Sequence, residues 1–285
     1  MGDTMLAQVA IPDLPVGSWV SDFVDFLNSS LGWLFGFIRT IVGTLTEWIE
    51  GILIAPDPLL MVAIFTLIAF FIKGWKLAVF TAASFLLIIS MGRFEETMVS
   101  LALVIVAVLI AVVVGTPLGI LAARSDRFSS IVRPVLDFMQ TMPAFIYLLL
   151  AVFFFRLGAV PGVMASVVFA MPPAVRLTEL GIRQVDREVV EAAQAFGAKP
   201  REVLWGVQLP LARPSIMAGI NQVIMLTLSM VVIAGLAGAG GLGETVVSGV
   251  QRFQVGLGIE GGLAVVILAI FLDRVTASFG PSETR

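Results

Sequence analysis

The chain has 285 residues, of which 59% are hydrophobic and 13% are charged, and its mean hydropathy is +1.04. A soluble domain of this length would lack the polar residues needed to cover its surface, so the composition indicates a polytopic membrane protein. The net charge of −3 is small, and the absence of cysteine and histidine excludes disulfides, thiolate metal sites and the commonest general base.

The N-terminal part of the chain predicts a tail followed by one amphipathic helix. Residues 1–18 contain prolines and glycine that interrupt regular structure, which is typical of a flexible tail. Over residues 19–57, apolar side chains recur at the helical period and the charges lie mostly off that stripe. This pattern predicts a helix in the membrane interface, anchored by Trp19, Trp33 and Trp48. A helix packed against a soluble partner domain is the alternative.

Seven apolar segments follow, each near the length of about 20 residues that a helix needs to cross lipid. They lie at 58–73, 75–92, 98–123, 135–155, 160–180, 214–237 and 260–279. The first two predict an accessory transmembrane hairpin at 58–97, the other five a core at 98–280, and 281–285 form a second tail. The predicted fold is therefore all-α: a membrane helical bundle of about seven transmembrane helices preceded by an amphipathic interfacial helix.

Proline and glycine mark two irregular features of the predicted core. Pro117, Pro143 and the pair Pro172 and Pro173 fall inside apolar segments, where proline removes a backbone hydrogen bond and favours a kink. Kinked helices suit a bundle that encloses a pathway, although packing alone also explains them. Residues 235–262 are rich in glycine and predict a mobile, non-helical stretch followed by a short helix that dips into the outer side of the membrane.

The longest polar interruption of the chain is residues 186–210. Asp186 can cap a helix, and Gly197 can end that helix in the left-handed conformation. Pro200 suits the first turn of a second short helix, which must stop before Pro210. Local physics thus predicts two short helices at an angle, either as an ordinary amphipathic loop or as a knob that seats in a groove of a partner.

The spacing within this loop resembles the EAA motif of binding-protein-dependent ABC importer permeases. The matching residues are Glu191, Ala192, Ala193, Gly197, Leu209 and Pro210. Val207 stands where the family usually has isoleucine. In that family the loop is cytoplasmic and docks on the ATPase subunit, so the resemblance implies that 186–210 is the coupling loop.

Further segments resemble the osmoprotectant branch of that family, the glycine betaine, proline and choline permeases. They lie at 93–98, 115–120, 240–243 and 268–274, and the resemblance covers about 58–280. The N-terminal helix also looks like the scaffold segment of that branch. The resemblance implies a second copy of the chain, two ATP-binding ABC subunits and an external solute-binding protein as partners, beside the lipid bilayer and without nucleic acid. It implies no cofactor in this chain, with ATP and Mg²⁺ bound by the partner ATPase. Since the sequence ends at Arg285, we expect no binding domain fused at the C-terminus.

The distribution of positive charge predicts an orientation. If residues 186–210 are cytoplasmic, thirteen of the 17 lysines and arginines lie on the cytoplasmic side, as the positive-inside rule requires. The four on the other side are Arg39, Arg93, Arg156 and Arg252. We expect a multi-pass protein of a bacterial or archaeal cytoplasmic (inner) membrane, with the N-terminus outside and the C-terminus inside.

The residue types present in the predicted spans limit the chemistry. The middles of the spans carry no Asp, Glu, Lys, Arg or His, which disfavours a proton-driven carrier, although Na⁺ sites built from carbonyls stay possible. The sequence has no G-x-x-x-x-G-K-[ST] loop and hence no P-loop ATPase site of its own. These absences predict a transport subunit that has no catalytic site and no metal site of its own.

Soft and weakly polar side chains of the core spans are the candidate solute path, because aromatic and apolar groups suit a zwitterion or a quaternary ammonium. They are Met139, Met142, Tyr147, Met171, Asn221, Met225, Thr227, Ser229 and Met230. Ordinary helix packing is the alternative for each of them. We expect the permease subunit of an ATP-driven importer for glycine betaine or a related compatible solute. A permease for another small solute, such as an amino acid or a sulfonate, and a stand-alone secondary carrier are the alternatives.

Overall fold

The computed structural model describes residues 15–279, and within that range it contains helices and no β-strand. The all-α prediction is confirmed. Residues 1–14 of the expected N-terminal tail and the expected tail at 281–285 lie outside the described residues. The first helix begins at Val16, three residues before the predicted boundary.

Twelve α-helices follow one another in this range. They are α1 Val16–Ile54, α2 Pro58–Lys73, α3 Trp75–Ser90, α4 Phe94–Arg124, α5 Asp126–Thr141, α6 Ala144–Phe155, α7 Ala159–Arg183, α8 Arg187–Ala195, α9 Pro200–Val203, α10 Leu209–Ala234, α11 Gly241–Gln251 and α12 Val255–Thr276. A π-helical turn, Leu204–Gln208, joins α9 to α10, and 3₁₀ turns at Gly235–Ala237 and Ala277–Phe279 follow α10 and α12.

Within residues 15–279 the structure has four to six candidate membrane spans, where the sequence predicted about seven. By length and composition, α4, α7, α10 and α12 can each cross a bilayer alone. Two helix pairs pass the same test only together: α1 with α2, bent by 98°, and α5 with α6, bent by 100°. The remaining segment, α3, is an apolar helix of 16 residues that pairs with α2 as a hairpin.

The predicted span at 135–155, in which Pro143 was expected to favour a kink, is fully broken between α5 and α6. Met142 has the extended ψ of 135°, and Pro143 caps α6 with a ψ of 137°. A residue before proline is driven away from the helical conformation by a clash with the proline ring, so this proline ends one helix and starts another. At 12 residues, α6 alone is about 18 Å long, too short to cross the hydrocarbon core.

The expectation for 235–262 is met only in part: the predicted short helix is present, but the part outside α-helix before it is limited to a 3₁₀ turn and residues 238–240. Residues 241–251 form α11, and α12 already begins at Val255. The glycines here serve close packing: a Cβ on Gly235 would lie 2.2 Å from the backbone of Gly243. Only glycine permits backbones to approach so closely, which is why a glycine-rich sequence forms ordered structure at this place.

The centre of the bundle is α7, which packs against α4 on one side and α10 on the other. Small residues bring these helices together. A Cβ on Gly119 of α4 would lie 2.6 Å from the Val175 carbonyl oxygen of α7, and one on Gly181 would lie 2.7 Å from Ser215 of α10. In lipid, where apolar burial does not drive helix association, such close contact is the usual basis of helix packing.

Helix α1 packs across the ends of α6 and α7 that lie opposite the loop 186–210. Phe35 packs against Phe154 with ring centroids 4.7 Å apart, and Gly43 faces Val160 at the start of α7. A bend of 98° separates α1 from α2. The face of α1 that points away from the bundle is exposed and carries Trp19, Trp33 and Trp48.

Candidate coupling loop and solute path

The loop 186–210 forms the two short helices that its sequence predicts. The Asp186 side chain accepts a hydrogen bond of 2.9 Å from the Glu188 amide and caps α8. Gly197 ends α8 with a φ of 87°, and its amide and that of Ala198 donate to carbonyls of the last turn. Pro200 occupies the first turn of α9, whose entry is fixed by a 2.8 Å hydrogen bond from the Lys199 amide to Glu202.

The second short helix does not stop before Pro210, contrary to the prediction. Helix α9 continues through the π-helical turn into α10, because the Leu209 amide donates to the Leu204 carbonyl five residues earlier. Pro210 then lies in the first turn of α10, where a missing amide proton costs nothing. The C-terminal side of the loop is thus joined to the membrane helix by unbroken helix, whereas the N-terminal side is joined by the turn at 184–186.

The loop presents an unpartnered surface within the described part of the chain. Helix α8 has no buried residue and packs mainly against α9 and the π-helical turn. Phe196 is 94% exposed and Trp205 is 61% exposed, while Glu191 and Ala192 lie at the surface and Ala193 is partly covered. Aromatic side chains left this open beside small residues are typical of a protein interface.

A buried carboxylate lies at the end of α7, just before this loop. Glu179 is 4% exposed and accepts hydrogen bonds from Ser129 (2.7 Å) and Arg133 (2.9 Å) of α5. Arg183, one turn further along α7, lies 3.0 Å from the same oxygen. The charge of Glu179 is therefore balanced by two guanidinium groups, as burial of an ion requires.

The same cluster ties three helices together. Arg183 also donates to Asp126 (2.7 Å) at the start of α5 and to the Ala122 carbonyl (2.8 Å) of α4, and Arg176 pairs with Asp137. The sequence pattern did not single out these residues as a site. Their partners lie 39 to 61 positions apart in sequence, so only the packing of α4, α5 and α7 brings them together.

Of the predicted path residues, the structure brings Met139, Met142 and Tyr147 together. They line an apolar cavity of about 390 Å³ at the bend between α5 and α6. The Tyr147 hydroxyl donates to the Met139 carbonyl across the bend, and the Tyr147 ring packs against Phe169 at 5.8 Å. The Tyr147 hydroxyl therefore already has a hydrogen-bond acceptor within the chain.

The other predicted path residues are dispersed. Met171 lies at the contact of α7 with Gly115 of α4, and Thr227 and Met230 are fully buried in the core. Asn221 joins α10 to the end of α12, since its amide donates to Asp273 (3.0 Å) and accepts from Thr276 (2.9 Å). These four residues hold helices together in this structure.

The last two predicted path residues, Met225 and Ser229, lie on an exposed stripe of α10 that also contains Gln222. Gln222 was not among the predicted path residues, although its spacing of three and seven residues from the other two places it on the same helix face. The exposed residues at the middle of α4 and of α12 are all apolar; those of α12 are Ile259, Leu263, Val266 and Ile270. Polar side chains on only one of these faces distinguish the α10 stripe from lipid-facing surface.

Polar contacts also fasten the opposite end of the bundle. Arg93, before α4, donates to Glu96 (2.9 Å) and to Glu260 of α12 (3.1 Å). The hydrogen bond to Glu96 raises the pKa of Arg93 further above its ordinary value. The Ser100 hydroxyl accepts from the Leu242 amide and holds the start of α11. Among residues 15–279, no three carboxylates are placed to hold a metal ion.

Comparison with known proteins assigns the family. Residues 115–284 match the family described as "Binding-protein-dependent transport system inner membrane component". The chain is 47% identical to the glycine betaine transport system permease protein OpuAB of Bacillus subtilis, over 93% of this chain and 94% of that protein. It is 48% identical to the glycine betaine/carnitine transport permease protein GbuB of Listeria monocytogenes, over 94% and 96% of the two chains.

The fold also matches a solved transporter structure. An inward-facing structure of the MetNI methionine ABC transporter aligns with a TM-score of 0.58 at 20% identity, over 64% of this chain and 93% of that one. This likeness supports the fold alone. With a family match over most of its length and two near-full-length relatives close to half identical, the chain belongs to the inner membrane components of binding-protein-dependent transport systems.

Proposed function

We propose that this protein is the permease subunit of an ATP-driven importer for glycine betaine or a related compatible solute. The observation that carries the proposal is the match, along nearly the whole chain, to permeases named for glycine betaine transport. Two copies of the chain form the pathway and two ATP-binding subunits supply the energy. An external solute-binding protein delivers the solute. ATP and Mg²⁺ bind in the ATPase subunits, and this chain contributes no catalytic group.

The loop 186–210 is the part that receives the ATPase in this proposal. Its support is geometric: α8 is an exposed helix with a small face at Ala192 and Ala193 and an open aromatic side chain at Phe196. A groove of the ATPase can enclose such a helix and bury Phe196. The loop side of the membrane is then the cytoplasm, which places the N-terminus outside and agrees with the positive-inside distribution.

The solute path in this proposal runs along the exposed stripe of α10 with Gln222, Met225 and Ser229, facing the same stripe of the second copy. The apolar cavity at Met142 and Tyr147 opens beside the bend of α5 and α6. A path of weakly polar and soft side chains suits a zwitterion, which carries no net charge to be compensated. Met171, Asn221, Thr227 and Met230 act as packing residues behind this surface.

Reconstitution tests the function and separates it from the alternatives. Proteoliposomes that contain the permease, its ATPase and its binding protein should accumulate labelled glycine betaine only with ATP. Uptake by the permease alone would instead identify a secondary carrier. A selective uptake of an amino acid or a sulfonate, with no uptake of betaine, would assign a different solute within the same class.

A matched pair of substitutions tests the coupling loop. Gly197 has a φ of 87°, whereas Gly51 lies within helix α1, outside the loop, and a Cβ added there would meet no atom within 4 Å. Gly197→Ala should strain the turn by about 1 kcal/mol and Gly197→Val by about 1–3 kcal/mol, so both misplace α8 and lower ATP-driven uptake. Gly51→Ala should leave uptake unchanged. Equal activity of all three variants would contradict the assignment of the loop.

A further inference from the structure

A polar cavity lies between α1 and α6, at the end of the bundle opposite the coupling loop. Its volume is about 380 Å³, and its polar lining comes from Asn28 and Arg39 of α1 and from Arg156 after α6. The Asn28 amide reaches the Phe153 carbonyl at 3.5 Å, which joins the two helices beside the cavity. Gly32 and Gly36 leave the α1 side of the cavity open.

The charge in this cavity is unbalanced. No carboxylate lines it, and neither Arg39 nor Arg156 forms an ion pair with any carboxylate of residues 15–279. Arg93, at the same end of the bundle, is paired with Glu96 and Glu260. Arg39 also lines the adjoining cavity together with Glu47 and Glu50, but neither carboxylate forms an ion pair with it. Two cations that converge on one cavity with no carboxylate in its lining favour an anion there.

The backbone at Arg156 supports a role for its side chain. Arg156 ends α6 with φ 66° and ψ −172°, a conformation that only glycine adopts without strain. Helix α2 ends in nearly the same conformation, φ 81° and ψ −169°, and there the residue is Gly74. An arginine where glycine would be less strained indicates that the guanidinium group itself is needed at this position.

The position of the cavity identifies the anion. Helix α1 lies across the ends of α6 and α7 with its tryptophans exposed, the placement of a helix in the membrane interface. Phospholipid phosphates lie at this level, and the phenylalanines at 35, 153 and 154 give the cavity an apolar edge for the glycerol and upper acyl chain. Arginine binds phosphate oxygens through paired N–H donors.

We propose that Arg39 and Arg156 bind the phosphate of an anionic phospholipid headgroup, and that this lipid fastens α1 to the bundle. Inorganic phosphate shares this chemistry, and the apolar edge together with the interfacial position favours the lipid. A headgroup that also carries a cation fits less well, because the cation would lie beside two guanidinium groups.

Native mass spectrometry of the full chain in detergent tests the proposal. After incubation with phosphatidylglycerol, the wild type should retain bound lipid, and phosphatidylcholine of the same acyl chains should be retained less. Arg39→Gln and Arg156→Gln should each lower retained phosphatidylglycerol about tenfold, because each removes charge-assisted hydrogen bonds. Arg252→Gln is the matched control: Arg252 is exposed at the same end of the bundle but does not line the cavity, so this variant should bind like the wild type.

Arg156→Gly separates binding from folding. This variant relieves the strained backbone and removes the guanidinium group, so it should lose lipid, while in lipid-free detergent its thermal unfolding temperature stays at or above that of the wild type. Added phosphatidylglycerol should raise the unfolding temperature of the wild type only. Equal lipid retention by Arg39→Gln and Arg252→Gln would overturn the proposal. So would complete displacement of the lipid by inorganic phosphate, which would assign the cavity to the free ion.

Discussion

Glu179 shows how much a single buried charge contributes next to the coupling loop. Its carboxylate is covered by α5, and Ser129, Arg133 and Arg183 surround it. Removal of a charge from such a cluster leaves guanidinium groups without their counter-ion. The position is therefore sensitive to a substitution that preserves size.

We expect Glu179→Gln to lower stability by about 1–3 kcal/mol. The value lies below that for a fully buried pair, because the Arg133 side chain is 59% exposed and solvent weakens its interaction. The measurement is the thermal unfolding temperature of the purified protein. Asp126→Asn is the control, since the Asp126 carboxylate is 91% exposed and its pair with Arg183 contributes little. Equal effects of the two substitutions would show that burial of Glu179 does not matter.

At this scale, local signals in the sequence predicted the residues that act on their own backbone. Asp186, Gly197 and Pro200 were placed correctly because caps and turns depend on neighbouring residues only. Apart from Arg183, one turn away on the same helix, the partners of Glu179 and of Asn221 are 46 to 55 residues away, and helix periodicity carries no information on which faces meet. Tertiary packing decides those contacts.

At the scale of elements, the contact of α4 with α7 depends on the lack of a side chain at Gly119. A Cβ there would lie 2.6 Å from both the Thr178 Cβ and the Val175 carbonyl oxygen, and backbone cannot move aside cheaply. Separation of the two helices would also disturb the cluster around Glu179, which lies on the next turn of α7 after Val175.

We expect Gly119→Ala to destabilise the protein by about 1–3 kcal/mol through overpacking. Gly262→Ala in α12 is the control, because no atom lies within 4 Å of its Cβ position. Alanine is the better helix former, so the control should be neutral or more stable by up to about 1 kcal/mol. Thermal unfolding of both variants in the same detergent gives the comparison. A destabilised control with a stable Gly119→Ala would refute the packing argument.

Element type was predictable from apolar length, whereas two element boundaries were not. A proline at position 143 can either kink a helix or end it. The extended conformation of Met142 shows that the helix ends there. Glycine at 235–243 is compatible with mobility or with close packing, and the contact of Gly235 with Gly243 selects packing. In both cases the sequence marks a special position, and the neighbouring helices determine its conformation.

For the whole molecule, the proposed orientation gives a labelling experiment without background, because the sequence contains no cysteine. Leu157 is 70% exposed at the end opposite the coupling loop, and Lys199 is exposed within the loop. A membrane-impermeant maleimide should label Leu157→Cys in intact cells from outside and Lys199→Cys only in inverted vesicles. Labelling of both from the same side would contradict the positive-inside assignment.

The unbroken helix that includes the π-helical turn has a mechanical consequence. From Pro200 to Ala237 it has 38 residues and is about 57 Å long, which is long enough for one continuous helix to join the coupling loop to the opposite end of the bundle. A tilt of about 5° at the α8 end would displace the far end by roughly 5 Å over this length. The far end of this helix contacts α11 through the backbones of Gly235 and Gly243, with no side chain between them. A small tilt imposed at the loop end would therefore move the opposite end of this helix by several ångströms.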